Sequence, residues 1–404
     1  MEQITDQEMM CELKSDLVFE SVNQLLYSFE AQRKEFHAEK NAFFSDYMKL
    51  YETAPKENAL YVFNGIHAEK IFSFESIQDF FSSESFNPHN GGYFLVFENK
   101  GIAINPGKSF IKRLTEQGFH IWNIDLVIVT SSLSACSEDL QDIYKMNRAL
   151  NENLVSCDAP AHVIQYVLHP VVFSKNSIEL APIFRHESHT VHSMHVFKES
   201  NYEDTKQLIQ DISINYKASF STQSIDQDTG FLLKLDLKGK KENLTIGFVL
   251  GSAHYSQDFE KNASSFFSSC KTLVLGIGDL HFEDIEKVKM QERDLGYYRI
   301  ETLLHSLLQM DTCHLSYVFL SEFGIECGDN RLEIIRKLCI ELQSAPRDLC
   351  ILPVETGFTT NLQAGKFFID LEEKKQLVPC AKIRVLRNAS PFGKLTFISE
   401  NDVL

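Results

Sequence analysis

Residues 91–129 constrain the fold more than any other part of the chain. Two apolar runs, residues 91–97 and 102–104, flank a short turn and predict a β-hairpin. A short helix is predicted over residues 110–117. The continuous apolar run at residues 126–129 is typical of a fully buried strand. The chain therefore passes from a hairpin to alternating helix and strand within one short segment, which predicts an α/β domain.

The second half of the chain repeats this order. Residues 231–237 and 244–250 predict another hairpin, and residues 272–276 predict another buried strand. Helices are predicted over residues 296–310 and 330–342. Two halves that each pass from hairpin to alternating strand and helix favour an α/β (α+β) fold, namely a four-layer αβ/βα sandwich.

The N-terminal region has a different pattern. Residues 7–52 are predicted to be helical, and an apolar residue recurs at every seventh position: Val22, Phe29, Phe36, Phe43 and Leu50. Two interpretations stay open, namely one or two helices docked on the main domain, or an arm for oligomerisation or partner binding. We predict a helical arm over residues 1–57 and one domain over residues 58–404. Residues 197–228 are predicted as an insertion, with a helix over residues 203–215.

Composition limits the classes of partner. The 404 residues carry a net charge of −17, which disfavours nucleic acid because a field of that sign repels phosphates. The nine cysteines include no CxxC pair, the N-terminus lacks a signal-peptide pattern, and no apolar run is long enough to span a bilayer. We therefore expect a cytoplasmic protein with reduced thiols and no membrane partner.

The hairpin, the turn Asn105-Pro106-Gly107 and the buried strand that ends at Thr130 together resemble the opening of the metallo-β-lactamase fold. In that superfamily the turn reads Asp-Pro-Gly, and the buried strand ends in Thr-His-x-His-x-Asp-His. The resemblance covers roughly residues 59–355. It implies the four-layer sandwich and a metal site at the ends of the strands.

At the positions where the superfamily has its metal ligands, this chain carries other residues. The resemblance therefore implies a divergent, degenerate member of that superfamily. Six ligand positions carry other residues: Ser131, Leu133, Ala135, Cys136, Ser252 and Glu322. Leu133 and Ala135 have no donor atom, and serine is a poor zinc ligand. We therefore expect no metal cofactor and no catalytic residue of the superfamily type.

Two functional hypotheses follow. The first is a pseudoenzyme that acts as a non-enzymatic interaction, scaffold or regulatory subunit of a protein complex, through a protein partner or self-association of the N-terminal helices. Its old cleft could serve as a ligand pocket lined by Ser131, Ser132, Ser134 and Cys136. The alternative is a metal-dependent phosphodiester or ester hydrolase with one Zn or Mn ion. Its ligands come from a histidine run and two further positions: His186, His189, His254 and Glu322.

Overall fold

The computed structural model of the chain describes residues 6–65, 89–132, 134–155, 161–176, 192–197, 200–220, 228–240, 242–250, 259–278, 296–323, 331–342, 349–362, 365–371 and 374–378. The helices are α1 (Asp6–Thr53), α2 (Phe110–Glu116), α3 (Leu140–Val155), α4 (residues 170–176), α5 (Phe259–Phe267), α6 (Gly296–Leu308) and α7 (Arg331–Glu341).

The first group of strands is β1 (Ala59–Gly65), β2 (His89–Phe97), β3 (Lys100–Ile104), β4 (Leu126–Val129), β5 (Ile164–Leu168) and β6 (His192–Val196). The second group is β7 (Ser200–Ile209), β8 (Ile212–Phe220), β9 (Asp228–Lys238), β10 (Asn243–Val249), β11 (Thr272–Gly278), β12 (Tyr317–Phe323) and β13 (Cys350–Pro353). The last strands are β14 (Phe358–Asn361), β15 (Lys366–Leu371) and β16 (Lys374–Val378).

The strands of the described residues form two mixed sheets. The first has the order β16-β15-β14-β1-β2-β3-β4-β5-β6, and the second has the order β13-β12-β11-β10-β9-β8-β7. Each sheet starts with antiparallel hairpins and continues with parallel strands, β3 to β6 in one and β10 to β13 in the other. The predicted repetition of one order in two halves is confirmed.

The two sheets enclose a common apolar core. Leu126 and Ile128 of β4 belong to it together with Val274 and Phe319 of the second sheet. Val127 points to the opposite face of β4, because successive residues of a strand alternate between its faces. Burial of apolar surface on both faces is what makes β4 continuously hydrophobic.

Helices cover the outer face of each sheet. The Phe110 ring of α2 lies 5.5 Å from the Phe63 ring and 6.3 Å from the Phe94 ring, measured between centroids. On the second sheet, Leu304 of α6 and Phe267 of α5 share a separate apolar cluster with the strands. The layers are therefore helix, sheet, sheet and helix, and the predicted four-layer αβ/βα sandwich is confirmed.

The prediction of a helix over residues 203–215 is wrong, since β7 and β8 form a hairpin there. Asp211 has a left-handed φ of 68° in the turn, and Ile212, Ile214 and Tyr216 alternate with less buried residues. This two-residue period matches a strand with one buried face, and tertiary burial therefore decided the structure of a segment with weak local preference.

Helix α1 is one uninterrupted helix, so the two-helix version of the N-terminal prediction is wrong. The chain divides into two compact units, residues 1–54 with 118–120, and all other residues. The boundary at residue 57 and the insertion at residues 197–228 stay predictions. The sequence also predicts strands at residues 70–72, 177–180 and 383–386, and these lie outside the described residues. No helix of the described part is long and apolar enough to span a membrane.

Candidate functional site

The candidate site lies where parallel strands of both sheets end. Thr130, Ser131 and Ser132 follow β4 and are buried, and a 3-10 turn covers Ser134–Cys136. In the other sheet Glu322 lies near the carboxyl end of β12. Clefts at the carboxyl ends of parallel strands are the usual ligand sites of α/β proteins, so these residues are in the expected place.

Asn105 ties the turn after β3 to the end of β4. Its Oδ1 accepts a hydrogen bond from the Thr130 backbone N–H at 2.8 Å, and its Nδ2 donates to Thr130 Oγ1 at 2.9 Å. Its backbone N–H donates to the Ile128 carbonyl at 2.8 Å. Asn105 adopts a φ of 50°, which asparagine tolerates better than most residues. This contact fixes the start of the loop that carries Ser131 to Cys136.

Glu322 is held in an unusual conformation. Its φ is 55°, a left-handed value that costs a non-glycine residue about 1 kcal/mol or more. Its carboxylate lies against Gly276 of the neighbouring strand, where an added Cβ would come within 2.3 Å of Oε2. Glycine at position 276 therefore provides the space for the carboxylate.

Asn64 of the first sheet contacts this carboxylate across the interface between the sheets. Its Nδ2 donates to Glu322 Oε1 at 3.3 Å. The amide is oriented by its other end, because Oδ1 accepts from the Gly92 backbone N–H at 2.6 Å. The Asn64 carbonyl accepts from Thr356 Oγ1 at 2.9 Å. The amide is therefore preorganised to face Glu322.

Tyr93 completes this group, which we call the inter-sheet cluster: Asn64, Tyr93, Cys136, Ser321 and Glu322. The Tyr93 hydroxyl lies 3.5 Å from Glu322 Oε1, a long hydrogen bond. Burial raises the pKa of Tyr93 well above its usual value, and the charges of Glu322 and Cys136 raise the pKa further. The polar side chains of Ser321 and Asn64 act in the opposite direction on this pKa. The phenol therefore stays protonated at neutral pH.

Two residues that the sequence singled out, Cys136 and Glu322, both lie close enough to Tyr93 for their charges to raise its pKa. Ala135 lies half-buried in the 3-10 turn. The other predicted site residues, or their side chains, lie outside the described residues: Leu133, Ser134, His186, His189, Ser252 and His254.

Three polar residues at this edge were missed by sequence reasoning. Asn64 and Tyr93 lie within apolar strands, and nothing in the sequence distinguishes them from ordinary strand residues. His169 directly follows buried strand β5, is itself buried, and accepts a hydrogen bond from the Val171 backbone N–H at 3.2 Å on Nδ1. A polar residue directly after an apolar strand was the available signal for His169.

Comparisons with solved structures find similar chains at low sequence identity. The metallo-β-lactamase fold protein YhfI from Bacillus subtilis matches with a TM-score of 0.46 and 10% identity, covering 75% of this chain and 98% of its own. Human tRNase Z, short form, matches with a TM-score of 0.46 and 10% identity, covering 75% of this chain and 99% of its own. The four-layer sandwich described above is the architecture that the resemblance of the sequence to the metallo-β-lactamase fold implies.

A diphosphatase of the PhnP family also matches, with a TM-score of 0.45 and 10% identity over 75% of this chain and 96% of that one. No protein-family model and no curated protein sequence matches the chain. One fold hosts many functions, so the function of this chain depends on the residues of its site.

The donors at the described positions do not fit the two-metal centre of the metallo-β-lactamase fold. Ser131 offers only a hydroxyl and Ala135 offers no donor, so Cys136 and Glu322 are the strong donors at these positions, fewer than a two-metal centre needs. Among the described residues, no three His, Cys, Asp or Glu side chains are grouped to hold a metal ion.

Replacing Glu322 tests how far the inter-sheet cluster supports the fold. Glu322→Ala should lower the free energy of unfolding by about 1–3 kcal/mol, because the Asn64 amide loses its acceptor. Glu322→Gly should recover about 1 kcal/mol of this loss, since glycine adopts a positive φ freely. Urea unfolding measures both values. The control is Glu52→Ala, at an exposed carboxylate in α1; equal losses for Glu52→Ala and Glu322→Ala would contradict a role for the cluster.

Proposed function

We propose that this chain is a catalytically degenerate protein of the metallo-β-lactamase fold, and that it acts as a non-enzymatic interaction, scaffold or regulatory subunit of a protein complex in the cytoplasm. The observation that carries the proposal is the state of Glu322. Its carboxylate is engaged by Asn64 and lies beside a protonated Tyr93, so the donor at this position serves a contact between the sheets.

The loop after β4 supports the same proposal. Metal-dependent hydrolysis needs at least three protein ligands and an open position for water. Ser131 is buried and Ala135 carries no donor, so this loop supplies few strong ligands. The buried hydroxyls of Ser131 and Ser132, together with Cys136, suit a small hydrogen-bonding pocket better than a metal centre.

Metal content is the first test. The chain is purified after expression with Zn, Mn and Fe supplied, and its metals are quantified by inductively coupled plasma mass spectrometry. We expect metal well below one equivalent per chain. One equivalent or more would overturn the proposal. The double variant His186→Ala, His189→Ala would then show whether the histidine run holds the ion.

Restoring the first ligand loop is a second test. The variant Ser131→His, Leu133→His, Ala135→Asp, Cys136→His should show no hydrolysis of a generic phosphodiester, because positions 252 and 322 still lack their ligands. A metal-dependent phosphodiesterase with the same substrate controls the assay. Hydrolysis by the variant would mean that the ligand positions in the second half are assigned wrongly.

A further inference from the structure

We draw no further inference here: the strongest candidate, the buried Ser321 hydroxyl beside Tyr93 in the inter-sheet cluster, belongs to the site already described, and nothing in the described part of the chain shows what ligand it would bind.

Discussion

Asn105→Ala is expected to lower the free energy of unfolding by about 3 kcal/mol. The substitution removes the acceptor of the buried Thr130 backbone N–H and the donor to Thr130 Oγ1, and each unsatisfied buried group costs about 1–3 kcal/mol. It also places alanine at a φ of 50°. Urea unfolding followed by far-UV circular dichroism measures the change. Because Thr130 starts the site loop, cleavage by thermolysin on the N-terminal side of Leu133 should accelerate as well.

Two further substitutions separate the hydrogen bonds of Asn105 from its backbone conformation. Asn105→Asp keeps the acceptor for Thr130 and should be the most stable of the substituted forms. Asn105→Gly relieves the backbone, loses both hydrogen bonds, and should be intermediate. The control is Asn99→Ala, in the exposed β2–β3 turn with a φ of 62°, which should cost only about 1 kcal/mol. If Asn105→Ala costs no more than Asn99→Ala, the tether to β4 is energetically unimportant.

Stability is expected to fall steeply above pH ~10. Burial raises the pKa of Tyr93 and of Tyr166 well above the usual value. The charge of Glu322 raises the pKa of Tyr93 further, and the charge of Tyr144 raises the pKa of Tyr166 further. The unfolded chain ionises these phenols near pH ~10 while the folded chain keeps them neutral, so the folded state binds more protons above that pH. Their stabilising effect is complete below pH ~10. It then falls by about 1.4 kcal/mol per pH unit for each residue, until the pH passes the folded pKa.

Single substitutions show which tyrosine causes this pH dependence of the free energy of unfolding. Tyr93→Phe and Tyr166→Phe should each reduce the pH dependence of the free energy of unfolding by about 1.4 kcal/mol per pH unit between pH ~10 and ~11. Tyr27→Phe, at an exposed ring, should leave the slope unchanged. Urea unfolding at a series of pH values gives the slopes. Parallel curves for all four proteins would show that neither buried phenol stays neutral in the folded chain.

Local patterns determined much of the fold. The hairpin β2–β3, the short helix α2 and the buried strand β4 were predicted because each depends on residues close in sequence: a turn, a helical segment, or an apolar run. The hairpin β7–β8 was missed because residues 200–220 are mostly polar, and only the packing of Ile212, Ile214 and Tyr216 against the core favours strands.

The candidate site shows the same division. The sequence by itself placed Ser131, Cys136 and Glu322 at the ends of buried strands, because strand order and length follow from local hydrophobicity. It could not identify Asn64 and Tyr93 as partners of Glu322, since they lie 258 and 229 residues away in the chain. Only the tertiary structure decided those contacts. The distance between Asn64 and Glu322 depends on how two twisted sheets pack face to face, and this packing is set by the summed burial of many side chains.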